Sequence, residues 1–173
     1  HTLPRDYSGT HENYLDEIAT NLLPLLIPEK LSDRVDAFIE KGAFSEAQIR
    51  PYFQKAKALG LEITVHADQF STGGSAVAVE FNALSADHLE ASTYIEIEML
   101  AASNVIPIAL PGATLGLGCA FAPARKLLDA GASLAIATDW NPGSAPMGDL
   151  LALASIMGPF EKLSHAEILA GIT

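Results

Sequence analysis

Five short apolar segments recur along the chain at a nearly constant interval. They read RVDAFIE, LEITVHA, ALSADHL, VIPIAL and SLAIATD, and they begin near residues 35, 61, 83, 105 and 133. Intervals of roughly 22–28 residues match one strand plus one crossover helix. The pattern therefore predicts an α/β protein with a repeated βα unit and a parallel sheet whose strands are buried on both faces.

Apolar residues between these segments follow helical spacing. NYLDEIATNLLPLLI shows this spacing ahead of the first strand, with Asn13 or Thr10 as the predicted cap. The closing SHAEILAGIT opens with Ser164 and carries Glu167 three residues later, which is a capping box. We predict a helix after each strand and at both ends of the chain.

The chain is acidic and carries little that would attract a polyanion. Its 173 residues include 21 acidic and 10 basic side chains, for a formal net charge of −11. Phosphate backbones and anionic lipid surfaces repel such a protein, so we expect neither nucleic-acid nor membrane binding. The long uncharged stretch VIPIALPGATLGLGCAFAPA is interrupted by glycine and proline, which favours a strand, a loop and a helix start over a membrane span.

The single cysteine and the two ends of the chain indicate the cellular compartment of the protein and whether the chain is part of a longer one. Cys119 alone excludes a disulfide framework and a cysteine-based metal site, and it fits a reducing cytoplasm. The polar opening HTLPRDYSGTHENY lacks the apolar core of a signal peptide. The length favours one domain over residues 1–173. Because the chain begins at a histidine and stops within a predicted helix, we expect it to be a segment of a longer protein.

Repeated βα units form either an open doubly wound sheet or a closed (β/α)₈ barrel. A nucleotide-binding doubly wound sheet carries a G-x-G-x-x-G turn after a strand, and this chain has none. A barrel places its functional side chains at the carboxyl ends of several strands. His66, His88 and Asp139 all stand at predicted strand ends, so the barrel is favoured.

These three strand ends predict metal chemistry. Imidazole and carboxylate groups bind divalent first-row metals, and barrel closure brings together ligands that are far apart in sequence. A bound ion lowers the pKa of water to about 7, so hydrolysis is the natural reaction. Each residue also has a purely structural interpretation: an isolated histidine beside an apolar run is often a rim residue, and Asp139 before WNPGSAP fits an Asx turn.

Several motifs carry a family resemblance in addition. HTLPRDY, HADQFS, ALSADHLE, IALPGAT, ATDWNPGSAP and SHAEILAGIT resemble, in order and spacing, the imidazolonepropionase family of the amidohydrolase superfamily. The resemblance implies a TIM-type barrel of which about strands three to eight are present. It implies hydrolysis of the ring C–N bond of 4-imidazolone-5-propionate to N-formimino-L-glutamate, in histidine degradation, by water activated on one zinc or iron ion.

The resemblance also assigns roles at the metal. In the numbering of the complete barrel, the five apolar segments of this chain are strands four to eight. His66, after the fifth strand, and Asp139, after the eighth, would be metal ligands. Asp139 would also accept a proton from the attacking water. His88, after the sixth strand, would hold the substrate carbonyl or shuttle a proton.

Further residues would contact the small-molecule substrate. His1 would touch it, and Gln69 would lie beside the ring. Asn141, Gly143 and Ser144 would hold the propionate carboxylate.

The chain departs from the family pattern in what it lacks. The His-x-His pair that supplies two more ligands from the first strand is absent, as are the first strands, the substrate-gripping arginine and tyrosines, and the small β domain of the family. The expected partner is therefore the missing N-terminal portion of the same enzyme, and the isolated fragment is expected to be inactive. A homodimer is compatible with the resemblance. Glu40 stands where many relatives carry a bridging lysine, which fits a one-metal site or a structural carboxylate.

Two other functions are open at this point. A nucleobase deaminase of the same superfamily would share the histidines and the aspartate but need a different pocket from WNPGS. A non-catalytic barrel fragment would keep the scaffold without binding a metal.

Overall fold

Nine α-helices and five β-strands make up the chain. The computed structural model describes residues 1–173. Its helices are α1 (His11–Glu17), α2 (Leu23–Leu26), α3 (Glu46–Ala58), α4 (Gly74–Glu80), α5 (Tyr94–Ala101), α6 (Pro111–Leu117), α7 (Ala124–Asp129), α8 (Leu150–Glu161) and α9 (His165–Gly171). Its strands are β1 (Arg34–Phe38), β2 (Glu62–Ala67), β3 (Ser85–His88), β4 (Ile106–Ala109) and β5 (Ala135–Ile136). A helix thus follows every strand, as the sequence predicts.

Local sequence signals explain several helix ends. Thr10, and not Asn13, caps α1: its hydroxyl accepts a hydrogen bond from the Asn13 backbone N–H at 3.2 Å. The predicted capping box of Ser164 and Glu167 is present at the start of α9. A π-helical turn, Ile18–Leu22, joins α1 to α2. It ends two residues before Pro24, which has no N–H to continue the helical hydrogen-bond ladder.

All five strands are parallel, and their spatial order is their order along the chain. A doubly wound sheet reverses its strand order at a switch point, and this sheet has no reversal. Phe38 pairs with His66, and Ala67 pairs with His88, so the carboxyl ends of β1 to β3 lie side by side. The sheet therefore collects the polar strand ends on one rim, as an arc of a barrel does.

Apart from β3, where Ser85 and Ala86 are both buried, the strands are buried mainly on one face, which corrects the prediction of two-sided burial. In β1, Val35 and Ala37 are buried while Asp36 is exposed, and in β4 Pro107 is buried while Ile106 is exposed. The buried side chains join one core with residues of the surrounding helices. The other face has no strands opposite it because five strands do not close on themselves. We call this the open face, and it carries Asp36, Thr64, His66, Asp87 and Ile108.

The sheet begins at Arg34. Residues 1–10, which precede α1, form coil with one turn. Pro4 within this segment has no N–H to donate to a sheet ladder. The five strands correspond to the fourth to eighth of the barrel. No helix combines the length and the apolar composition that a bilayer crossing requires.

Candidate active site

His66 lies at the end of β2 on the open face and pairs with a carboxylate of the neighbouring strand. Its Nδ1 atom is 2.9 Å from the Asp36 carboxylate, to which the Thr64 hydroxyl also donates at 3.3 Å. Burial lowers the pKa of His66, but the hydrogen bond to Asp36 and the charges of Asp36, Asp87 and Asp139 outweigh it, so the pKa is raised overall. The site thus favours a positive charge.

Asp87, on β3, completes a group of three potential metal ligands. Asp36, His66 and Asp87 each offer a ligand atom, and these atoms all lie within 4.8 Å of one another. The Oδ1 atom of Asp87 is buried without a hydrogen-bond partner, and burial raises the pKa of this carboxyl group. One nitrogen and two oxygen donors at this spacing suit a first-row metal ion.

Asp36 and Asp87 were not among the residues predicted from the sequence. The available signal was the alternation in β1, where polar residues at 34 and 36 interleave with apolar Val35 and Ala37. A carboxylate on the same face as the end of a neighbouring strand is a candidate for its site. Asp87 carries the same signal, because polar Ser85 and Asp87 flank apolar Ala86 in β3.

His88 stands beside His66 at the rim. The two ring centroids are 5.2 Å apart, and His88 is only 2 % exposed. Its φ angle is +82°, and that of Leu89 is +74°, so two consecutive residues with side chains adopt the left-handed region. Each costs about 1–2 kcal/mol relative to the right-handed region. Such strain concentrates at functional sites, and here it turns the chain sharply after β3.

Asp139 follows β5 and also has a positive φ, of +52°. It is half-buried and lies close enough to His66 for its charge to raise the pKa of that imidazole. It is not one of the three residues whose ligand atoms lie within 4.8 Å. The structure therefore brings His66 and His88 into direct ring contact and places Asp139 within electrostatic reach of them.

His1 reaches the same place from the start of the chain. Its ring stacks on Phe38 with centroids 4.7 Å apart and meets the ring of His66 edge-on at 4.9 Å. Gln69 is half-buried, and its side chain makes no hydrogen bond within the chain. His1 is thus joined to the rim by aromatic packing, while Gln69 lies three residues beyond His66 in the loop that follows β2.

Glu40 holds the loop after β2 in place through hydrogen bonds. Its carboxylate accepts hydrogen bonds from the backbone N–H of Lys41 (2.8 Å), Phe70 (3.0 Å) and Ser71 (2.9 Å), and from the Ser71 hydroxyl. Burial raises the pKa of Glu40, but these hydrogen bonds outweigh burial and lower it overall. With both oxygens engaged, Glu40 acts as a structural carboxylate.

The loop after Asp139 is closed by its own hydrogen bonds. The side-chain oxygen of Asn141 accepts from the Gly143 N–H at 2.8 Å, and Asn141 and Ala145 exchange two backbone hydrogen bonds. The Gly143 amide is therefore already engaged, which leaves the Asn141 amide group and the Ser144 hydroxyl as the free donors. No hydrogen bond connects residues 141–144 to His66, His88 or His1.

Comparisons with known proteins identify close relatives of the sequence. No family model matches the chain. It is 41 % identical over 174 residues to the imidazolonepropionase of Bdellovibrio bacteriovorus, covering 100 % of this chain and 41 % of that protein. It is 45 % identical over 148 residues to that of Deinococcus deserti, covering 85 % of this chain and 36 % of the relative. The chain spans about two fifths of the length of the curated relatives it matches.

Solved structures agree on the architecture. An amidohydrolase from a Sargasso Sea environmental sample superposes with a TM-score of 0.71 at 18 % identity, over 99 % of this chain and 44 % of that one. An adenosine deaminase from Xanthomonas campestris with bound zinc gives 0.70 at 19 % identity, over 92 % and 39 % of the two chains. At such identities the likeness concerns the fold alone, and it confirms that this chain has the fold of part of a barrel, as predicted.

Proposed function

We propose that this chain, a homologue of the imidazolonepropionases along its whole length, forms part of the active site of such an enzyme. The reaction is hydrolysis of the ring C–N bond of 4-imidazolone-5-propionate to N-formimino-L-glutamate, in histidine degradation. The meeting of His66, His88 and Asp139 at one rim of a parallel sheet carries the proposal, because hydrolytic barrels concentrate their chemistry there. The names of the relatives supply the substrate.

The residues at this rim fit a metal ion. His66, Asp36 and Asp87 present nitrogen and oxygen donors close together, the pKa of His66 is raised by surrounding carboxylates, and Asp87 Oδ1 is buried without a partner. Zinc and iron both accept imidazole and carboxylate ligands. We assign His66 and Asp139, whose charge reaches His66, as this chain's ligands to one zinc or iron ion, and Asp36, which is hydrogen-bonded to His66 Nδ1, would orient that imidazole. When bound, the ion supplies a Lewis acid that makes a water molecule nucleophilic near neutral pH.

The chain's own side chains divide the remaining chemistry. Asp139 accepts the proton of the attacking water on its carboxylate. His88 donates a hydrogen bond to the oxygen of the ring carbonyl as negative charge develops on it. The proton held by Asp139 then passes to the ring nitrogen as the C–N bond breaks, which restores the carboxylate.

The substrate is held from three directions. His1, stacked on Phe38 and in edge contact with His66, lies where it would contact the ring. Gln69 is assigned beside the ring because its side chain has no partner within the chain. Asn141 and Ser144 offer an amide and a hydroxyl to the propionate carboxylate, and Gly143 shapes their turn through its hydrogen bond to Asn141.

The site also requires a partner segment. On the open face Asp36 is exposed and His66 is half-buried, and the relatives are more than twice as long as this chain. We propose that the N-terminal portion of the same enzyme covers the open face and completes the metal site. We refer to this chain joined to those segments as the complete protein.

The test is turnover of 4-imidazolone-5-propionate by the complete protein, followed through loss of the absorbance of the ring. His66→Ala and Asp139→Ala are expected to abolish turnover, because each removes a metal ligand. His165→Ala and Asp6→Ala make the same chemical changes at exposed positions and are expected to leave turnover unchanged. Absence of turnover in the metal-loaded wild-type protein, or full turnover by either ligand variant, contradicts the proposal.

A further inference from the structure

His88 and Glu90 form a buried pair that neither the metal site nor substrate contact accounts for. Their side chains are 3 % and 4 % exposed, and His88 Nδ1 lies 3.7 Å from Glu90 Oε2. Both atoms are buried and have no hydrogen-bond partner. A potential donor and a potential acceptor thus face each other in a place that water does not reach, where leaving either unpaired is unfavourable.

The backbone brings the two side chains together. Residues i and i+2 of an extended strand lie on the same face but some way apart, whereas His88 and Leu89 both have positive φ and turn the chain at this point. Two backbone hydrogen bonds, from Leu89 N–H to the Ala67 carbonyl (3.0 Å) and from Ala91 N–H to the Asp68 carbonyl (2.7 Å), hold the turn against β2 and its following loop. A strained backbone is therefore maintained where it juxtaposes His88 and Glu90.

Glu90 is itself fixed from the other side. Its Oε1 atom accepts a hydrogen bond at 3.0 Å from the hydroxyl of Thr114, a residue of α6 that is 2 % exposed. This contact leaves Oε2 directed at His88. The order Thr114, Glu90, His88 is that of a carboxylate that orients an imidazole and is in turn oriented by a hydroxyl.

We infer that Glu90 is a positioning residue that accepts a hydrogen bond from His88 Nδ1–H and fixes the tautomer of the imidazole. The 3.7 Å separation closes to hydrogen-bond distance by a movement of less than about 1 Å. With the proton on Nδ1, the neutral ring carries its lone pair on Nε2, which is the nitrogen that does not face Glu90. Nε2 is then the nitrogen that takes up a proton, and the protonated ring donates from Nδ1 to Glu90 and from Nε2 to the carbonyl oxygen of the substrate.

The role of Glu90 rests on the proposed function only in what Nε2 does to the substrate. The tautomer itself is a property of the chain and is measurable without turnover. Failure of the inferred tautomer and failure of the proposed function can therefore be told apart. The tautomer can be as inferred in a protein that does not hydrolyse 4-imidazolone-5-propionate, and a protein that does hydrolyse it can have the other tautomer.

The experiment is ¹⁵N NMR of the complete protein labelled only at histidine, with the His88 signals assigned by their loss in His88→Gln. The neutral His88 of the wild-type protein is expected to carry its proton on Nδ1. In Glu90→Leu, which removes the acceptor, the Nε2–H form is expected to appear, while Glu98→Leu makes the same change at an exposed site of α5 and is expected to have no effect. An Nε2–H tautomer in the wild-type protein, or an unchanged Nδ1–H tautomer in Glu90→Leu, overturns the inference.

Kinetics provide the second readout. Glu90→Leu is expected to lower kcat by roughly 10–100-fold with little change in KM, as for other carboxylates that orient a functional histidine. Glu90→Gln retains an acceptor oxygen and is expected to restore part of the loss. A Glu90→Leu enzyme that folds and keeps the wild-type kcat also overturns the inference.

Discussion

The Nδ1 atom of His66 lies 2.9 Å from the carboxylate of Asp36, one strand away on the open face. This contact ties the central imidazole of the site to a residue that lies within β1 and not at a strand end. It also sets the charge of the site, because Asp36 contributes both a hydrogen bond and an electrostatic effect that raise the pKa of His66.

Asp36→Asn is expected to lower the pKa of His66 in the metal-free protein. The substitution removes the negative charge that stabilises the imidazolium, while burial continues to favour the neutral ring. An NMR titration of the His66 ring signals measures this directly. Asp33→Asn removes an exposed carboxylate that pairs with Arg34, and it is expected to leave the His66 titration unchanged. An equal or higher pKa in Asp36→Asn contradicts the assignment.

The same contact predicts a pH dependence of stability. Because the pKa of His66 is raised above 6.5 in the folded state, proton binding stabilises the fold fully below pH 6.5, and this contribution is lost as the pH rises through the folded pKa. The free energy of unfolding of the metal-free protein, measured with urea from pH 6.5 upward, is expected to fall more steeply for the wild-type protein than for Asp36→Asn. Parallel curves would contradict this link.

Glu40→Ala is expected to lower the free energy of unfolding by roughly 2–3 kcal/mol. The change leaves the backbone N–H groups of Phe70 and Ser71 without their acceptor, and hydrogen bonds to charged groups contribute about 1.5–3 kcal/mol. Urea denaturation measures the loss. Glu98→Ala removes an exposed carboxylate and is expected to change stability by less than about 0.5 kcal/mol.

Lowering the pH protonates the Glu40 carboxylate, which accepts these hydrogen bonds. The folded pKa of Glu40 is lowered, so its contribution is present above the usual value of 4.5 and is lost as the pH falls through the folded pKa. The stability difference between wild-type and Glu40→Ala is therefore expected to shrink below pH 4.5. A difference that stays constant down to the acid limit would contradict a role for the ionised carboxylate.

Gly112→Ala is expected to destabilise the protein by about 1–3 kcal/mol and to disturb Asp139. A Cβ at position 112 in α6 would collide with the backbone carbonyl of Thr138, directly before Asp139, and backbone cannot yield as a flexible side chain does. Gly158→Ala, also within a helix, would meet mainly the end of the Ile168 side chain and is expected to be close to neutral. Equal stability of the two variants would show that the Thr138 segment has room to move.

The sequence predicts the fold well because strand and helix signals are local. The observed strands begin at Arg34, Glu62, Ser85, Ile106 and Ala135, each within about two residues of its predicted start. The burial of the strands could not be predicted in the same way, because an apolar segment has the same sequence pattern whether one or both of its faces are covered. Ile106 and Ile108 belong to such a run, yet they face the open side of the sheet.

The site residues also differ in whether a local sequence signal predicts them. His66, His88 and Asp139 are visible in the sequence because each ends an apolar segment, and barrel topology turns that regularity into proximity. Asp36 and Glu90 depend on tertiary contacts instead: one on the register of β1 with β2, the other on a turn through two left-handed residues. Neither register nor such a turn is encoded by a residue type that the sequence displays, since no glycine marks residues 88 and 89.

The metal content of the complete protein tests the account most directly. Elemental analysis by mass spectrometry is expected to give about one zinc or iron ion per chain for the wild-type protein and for His165→Ala. It is expected to give little or none for His66→Ala and Asp139→Ala, which lack an assigned ligand. A full complement of metal in either of these two variants, with the fold intact, would contradict the site that we assign to the rim of the sheet.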